Sequence, residues 1–444
     1  MFKRKPMVRS LALALLLPVA AQANDSEEIE KLRAEIQQMK QNYEARIQTL
    51  ETRLQQTESV AGQAEKTAET ASIQASEKPT STNAFNPDIS LILSGLYANR
   101  TQDSDYHITG FQAGGEVGPG SRGFSLAESE LGVYASVDPF FYGGLNLALA
   151  SDNSVAVEEA FVQTTSLPAD FTLKAGRFFS SIGYLNDQHA HTWDFVDNPL
   201  AYQAFLGNQF GDDGVQVKWL APTDLFVELG AEYGRGRIAE SEGRDKNGGS
   251  AGSFFGHVGG DVGVNNSWRA GLSYFDVSPE NRESNDLDSM DAYVTNSFTG
   301  EDKIWMGDFV WKWSPNGNAT DRSFKLQGEY LHRKEDGLLN TDDYTALQSG
   351  WYLQSVYKFM REWRTGLRYD QLNSGSVDYG LNSSNLVDSD YDPKRLSWMV
   401  DYNPSEFTRI RLQFARDESR IDATDNQVFL QYQMSLGAHG AHRF

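Results

Sequence analysis

The most regular feature of the chain is a two-residue alternation of apolar and polar positions that begins after Pro87 and runs almost to the end. Leu225, Val227, Leu229, Ala231 and Tyr233 alternate with Glu228, Gly230 and Glu232. Trp363, Thr365, Leu367 and Tyr369 alternate with Arg364, Gly366, Arg368 and Asp370, and Ile410, Leu412 and Phe414 with Arg409, Arg411 and Gln413. Successive side chains of a strand point to opposite faces, so each run reads as a strand with one apolar and one charged face. The pattern predicts sixteen strands, at about 88–99, 123–137, 140–150, 155–165, 170–179, 214–220, 224–234, 252–263, 267–277, 303–313, 321–333, 348–359, 362–373, 393–402, 406–417 and 425–437. Short connections rich in turn formers, such as Asp138-Pro139 and Asn265-Asn266, tend to alternate with long ones at about 100–122, 180–213, 235–251, 278–302, 334–347 and 374–392.

An even number of amphipathic strands, with short turns on one side and long loops on the other, is the pattern of an all-β transmembrane barrel. In lipid every backbone group must be paired within the protein, so the sheet closes on itself and its charged face lines a water-filled lumen. A soluble sandwich would instead bury the apolar faces in one core and leave sixteen charged faces to explain. The chain ends on Phe444, which suits a barrel whose last strand finishes on an aromatic, although the tail 437–443 interrupts the alternation.

Before Pro87 the period is different. Apolar or small residues at Ile29, Leu32, Ile36, Met39, Tyr43, Ile47, Leu50 and Leu54, continuing through Thr57, Ala61, Ala64, Ala68, Ala71 and Ala75, form a heptad seam with one stutter. About 48 residues of this, roughly 70 Å if helical, predict a coiled coil over 24–77 and hence an oligomer, because the seam is buried only against another copy. Residues 78–87 read as a linker, and 88–444 as the barrel. The first 23 residues have a basic start (Lys3, Arg4, Lys5, Arg9), an apolar stretch and Ala21-Gln22-Ala23, the layout of a secretory signal peptide. No other stretch approaches a spanning helix.

Composition narrows the picture further. Without the four basic residues of the signal peptide, 35 Lys and Arg stand against 61 Asp and Glu, a mature charge of −26 that excludes non-specific nucleic-acid binding. The absence of cysteine excludes disulfides and thiolate metal sites. No G-x-S-x-G nucleophile motif is present, and the chain is not read as an enzyme.

The candidate chemistry gathers on the connection 180–213, too long to be a plain loop and too apolar to be disordered, with Tyr184, Leu185, Trp193, Phe195, Leu200, Tyr202, Phe205 and Leu206. It is expected to fold into the lumen, where it brings Asp187, Asp194, Asp197, Asp212 and Asp213 to face a wall of Arg364, Arg368, Arg395, Arg409 and Arg411, with Lys174 and Lys218 elsewhere on the lining. Two readings stand side by side: the charges set up a transverse field across a constriction, or they pair with one another and keep a wet lumen electrically tolerable. His189 and His191, with Asp187 and Asp194 close by, offer imidazole and carboxylate donors that suit zinc, copper or nickel. The alternative is that the histidines only fix the loop to the wall by hydrogen bonds.

The order of segments, and above all FTLKAGRFFSSIGYLNDQHAHTWDFVDNPLAYQAFLGNQFGDDGVQVKWLAPTDLFVELGAEY, resembles a proteobacterial outer-membrane family whose members are often labelled zinc-regulated outer-membrane receptors. More distantly, a strand ending in KAGRFF is similar to the phosphate-selective porin group, trimeric sixteen-stranded channels. The first likeness implies a link to zinc through Asp187, His189, His191 and Asp194, with Zn2+ bound transiently and no cofactor required. The second implies passive, anion-biased permeation of small hydrophilic solutes or ions through the arginine wall of a homotrimer in outer-membrane lipid; the even strand number, which returns the last strand to the side on which the first began, sets the coiled coil in the periplasm. Nothing before the first strand could form a globular plug, so energised import is not expected. The competing class is a structural anchor, with the coiled coil as a spacer toward peptidoglycan.

Overall fold

The alternation builds a closed wall. The structure, a computed structural model, describes residues 37, 38, 40, 87–102, 106–115, 117–151, 153–238, 247–386 and 390–437. The expected signal peptide, most of the coiled coil, all of the linker but Pro87, and Phe444 lie outside the described residues. The chain divides into two units, Met1–Ala84 and Phe85–Phe444.

Within the second unit the strands are β1 (Asp88–Arg100), β2 (Gly123–Leu126), β3 (Ser129–Ser136), β4 (Phe141–Leu149), β5 (Val155–Thr164), β6 (Phe171–Phe179), β7 (Gly211–Leu220), β8 (Phe226–Gly234) and β9 (Ala251–Val262). There follow β10 (Asn266–Val277), β11 (Arg282–Leu287), β12 (Tyr293–Trp313), β13 (Ser323–Leu339), β14 (Asp342–Met360), β15 (Trp363–Asp378), β16 (Lys394–Ser405), β17 (Thr408–Arg420) and β18 (Ala423–Gly437). β2 and β3 both pair with β1 and make one stave broken at Ala127-Glu128, while β11 forms a hairpin with β12. Sixteen staves remain among the described residues, antiparallel throughout, and β1 pairs with β18 to close the barrel. Closure leaves no unpaired edge for lipid to meet.

Along β16, Leu396 and Trp398 face outward while Arg395, Ser397, Met399 and Asp401 are buried inside, and β17 repeats this with Ile410, Leu412 and Phe414 outside and Arg411, Gln413 and Ala415 inside. The predicted strands match the observed ones within a few residues, except at the long-loop end. There β12 to β15 run 21, 17, 19 and 16 residues, so much of the expected loops 278–302, 334–347 and 374–392 is hairpin. The outward face of these extensions changes from apolar to charged, with Glu301, Lys334 and Asp336 exposed. The hydrophobic alternation therefore stops where lipid stops, whereas the hydrogen-bond ladder continues into water.

The interior of the long-loop half holds an apolar cluster rather than open solvent. Tyr106, Ile108 and Phe111 from the loop after β1 pack on Ile182, Leu200, Tyr202 and Phe205 from the loop after β6. Inward-facing Phe275, Ile304, Met306, Leu331, Tyr352 and Leu372 of the wall complete the cluster.

Candidate functional site

The loop between β6 and β7 lies inside the barrel, held at both ends by its own sequence. Gly176 in β6 adopts φ +125°, and a Cβ there would fall 2.2 Å from the Ala160 carbonyl oxygen, so only glycine lets β5 and β6 approach this closely. At the far end Asn186 donates to the carbonyls of Ser180 and Phe210, both 2.8 Å, and accepts from the Phe210 N–H, closing the loop at its neck. Within it, α1 (Leu200–Leu206) follows Pro199 and stops at Gly207, whose φ of +61° ends the helix with an N–H bond to the Tyr202 carbonyl. All seven residues of α1 are buried, as an all-round apolar helix requires.

Wall side chains grip the loop at defined points. Glu329 of β13 accepts hydrogen bonds from the Tyr184 and Leu185 N–H groups (3.0 and 3.1 Å) and from the Tyr202 and Tyr352 hydroxyls (2.8 and 2.6 Å). Asp194 is paired with Lys325 and with Arg364, 3.0 Å away, and accepts from Gln354 at 3.1 Å. Arg364 and Arg411 also meet Asp401, at 2.6 and 2.8 Å. Asp197 receives Arg368 at 2.9 Å, Arg395 at 2.7 Å and the Gln413 amide at 2.8 Å. Arg409 and Arg411 donate to the carbonyls of His191 and Trp193, at 2.8 and 2.9 Å respectively. Burial opposes ionisation of both loop aspartates, but Lys325 and Arg364 for Asp194, and Arg395 and Arg368 for Asp197, outweigh it and hold both carboxyls below the usual range.

Of the two readings of these charges, the contacts of Asp194 and Asp197 are those of pairing. Of the loop acids, Asp194 pairs with Lys325 and Arg364 and Asp197 with Arg368 and Arg395, and Arg368, Arg395 and Arg411 are almost completely buried. Lys174, Lys218, Arg364, Arg409 and Asp194 do line a cavity of about 1840 Å³ between the underside of the loop and the short-turn end. Asp197 is not among its lining residues.

The proposed donor set is also rearranged. His189 and His191 come together, their rings stacked 5.8 Å apart, but Asp194 is occupied by Lys325 and Arg364. Asp187 lies on the cavity lining and outside the donor cluster. The carboxylates that meet the imidazoles come from the wall. His189 Nε2 is 3.0 Å from Glu159, its Nδ1 is 3.4 Å from Glu158 and 3.5 Å from Glu130, and His191 Nδ1 is 2.8 Å from Glu130. Burial disfavours the His189 imidazolium, yet hydrogen bonds to Glu158 and Glu159 and the charge of Glu130 raise its pKa well above 6.5. Sequence reasoning overlooked Glu158 and Glu159 because alternation assigns them to opposite faces. A register shift opposite Asn146 and Leu147 makes Glu158 an extra residue in β5, and both carboxylates reach the lumen side. The adjacent acidic pair in an otherwise alternating strand was the available signal.

No protein-family profile matches the chain. A protein of Aquifex aeolicus (strain VF5), described only as uncharacterized, is 35% identical over 397 residues, spanning 82% of this chain and 81% of its own. The chain belongs to that protein's family. Among solved structures, OmpT, an outer membrane protein of Vibrio cholerae, superimposes with a TM-score of 0.51 at 12% identity, over 81% of this chain and 100% of OmpT. OprB of Pseudomonas putida gives 0.52 at 14% identity, over 79% and 94%. These likenesses share the barrel fold with this chain. None of these comparisons supports the expected zinc-regulated receptor label.

Proposed function

We propose that the chain is a passive outer-membrane channel for small hydrophilic solutes, in which the loop after β6 sets the width of the passage. The observation that carries this reading is the water-accessible cavity of about 1840 Å³ inside a closed sixteen-stave barrel, lined by both charge signs. Lys218, Arg269 and Arg409 share its lining with Glu159, Asp187 and Glu228. Such a lining suits polar solutes and penalises apolar ones, which would have to displace the water of ordered charges. A structural anchor has no need of a charged cavity of this size. The long-loop end faces outward and the short-turn end the periplasm, the usual arrangement of bacterial barrels. The assembly is read as a homotrimer; a trimer form is recorded for Vibrio cholerae OmpT. The reading involves no catalysis and no energised step.

Liposome swelling tests it. Vesicles loaded with the refolded chain should swell in isotonic solutions of small sugars and amino acids, at rates that fall with solute size. Vesicles as tight as protein-free controls, with the barrel demonstrably inserted, would rule the channel out.

A further inference from the structure

We infer that the place where β3, β4 and β5 meet the inward loop is a binding site for one divalent transition-metal cation, held by Glu130, Glu158 and His189. One donor atom from each of the three lies within 4.8 Å of the other two. His189 Nδ1 stands 3.4 Å from Glu158 Oε2 and 3.5 Å from Glu130 Oε2. Ligands at about 2.0–2.2 Å from a tetrahedral ion are roughly 3.3–3.6 Å from each other, so these separations already have the spacing of a coordination shell.

A fourth group points to the same spot. Asn146 is only 1% exposed. Its Nδ2 sits 2.9 Å from Glu130 Oε2, 3.2 Å from Glu158 Oε2 and 2.9 Å from His189 Nδ1. Among the described residues the Asn146 Oδ1 is buried with no hydrogen-bond partner, while its nitrogen has two hydrogens for three neighbours. Turning the amide over aims Oδ1 at the point where the carboxylates and the imidazole converge. In that arrangement two carboxylates and an amide oxygen face one point beside His189 Nδ1, and a cation there would take the place of the proton that the imidazolium carries.

The surroundings complete a metal-site layout. His189 Nε2 meets Glu159 at 3.0 Å, the carboxylate behind the imidazole that fixes a ligating ring. His191 meets the other oxygen of Glu130 at 2.8 Å. Glu128 lies against Glu158, so four carboxylates share this patch, with Lys174 acting on Glu159. With Glu130, Glu158 and Glu159 against one lysine, a dication that displaces the His189 proton is favoured. Imidazole with carboxylates and no thiolate selects an ion of borderline hardness, of which Zn2+ is the working probe. Because His189 comes from the loop and the glutamates from the wall, the ion would tie the two together. This site does not depend on the channel reading and stands or falls separately.

The test uses the refolded full chain in detergent, without a polyhistidine tag, in equilibrium dialysis against Zn2+ alone. One saturable equivalent is expected, weakened by about 100-fold in Glu158→Gln and in His189→Asn, and unchanged in Asp187→Asn. Heat-modifiable migration and circular dichroism establish that each variant is folded. X-ray absorption at the zinc edge of the wild-type complex gives a readout that needs no variant, and should show an oxygen and nitrogen shell with imidazole scattering. Absence of saturable binding below about 1 mM, a shell without imidazole, or binding that both variants retain, as tail residues His439 and His442 would give, overturns the proposal.

Discussion

Removing one charge from the loop should release it. Asp194 is the sole loop carboxylate touching Lys325 and Arg364 in the ion pairs of the described residues, and Arg364 and Arg411 otherwise share Asp401. Asp194→Asn keeps the shape but leaves Lys325, Arg364 and Arg411 with one carboxylate among three cations. Breaking a buried ion pair from one side costs about 3–5 kcal/mol. Arg364 and Lys325 keep 21% and 22% of their side-chain surface exposed. Water therefore compensates part of the loss, and the lower figure, about 3 kcal/mol, is the appropriate one. At 1.4 kcal/mol per decade that is roughly a 150-fold rise in the undocked population. Hydrogen exchange followed by mass spectrometry on the folded barrel reads this directly, because amide protection over residues 184–206 should fall by about that factor while the wall strands keep theirs. Protection of the loop within about threefold of wild type would refute the idea that these pairs hold it.

Three further outcomes follow from the same contacts. The carboxyls of Asp194 and Asp197 titrate below their ordinary range, so their contribution is complete above it and disappears as pH falls through the depressed values. Loop protection should accordingly not be lost between neutral pH and about pH 4 and should collapse below it; a collapse already between pH 7 and 5 would contradict this. Glu329→Gln leaves four donors facing one amide oxygen and should cost about 1–3 kcal/mol, seen as faster exchange at Tyr184 and Leu185, and unaltered exchange there would count against the clamp. Gly176→Ala places a methyl 2.2 Å from the Ala160 carbonyl at a φ of +125°, and should cost more than about 3 kcal/mol in urea unfolding. A wild-type midpoint would show that β5 and β6 can part without penalty.

The barrel was legible because lipid imposes a rule on every second residue, and Leu396, Trp398, Ile410 and Leu412 obey it without exception. The hairpin tops of β12 to β15 were not, since no solvent boundary marks residues with water outside and a packed interior within. The inward course of the loop was readable from its apolar content, which α1 and its neighbours bury. Its partners were not: Arg368 and Arg395 converge on Asp197 from 171 or more positions away, a pairing that depends on barrel register. The histidines illustrate the same limit. Proximity in sequence assigned them Asp187 and Asp194, whereas the fold supplies Glu130 from β3 and, through a bulge in β5 that alternation cannot register, Glu158 and Glu159.

The most direct test of the account is single-channel recording in planar bilayers, with wild type and Asp194→Asn compared at the same protein density. A passive channel whose passage is set by the docked loop predicts discrete ohmic steps in wild type, and larger or longer openings in the variant. Silent membranes for both proteins, with insertion verified, would contradict the channel itself, and identical steps would remove the loop from control of the passage.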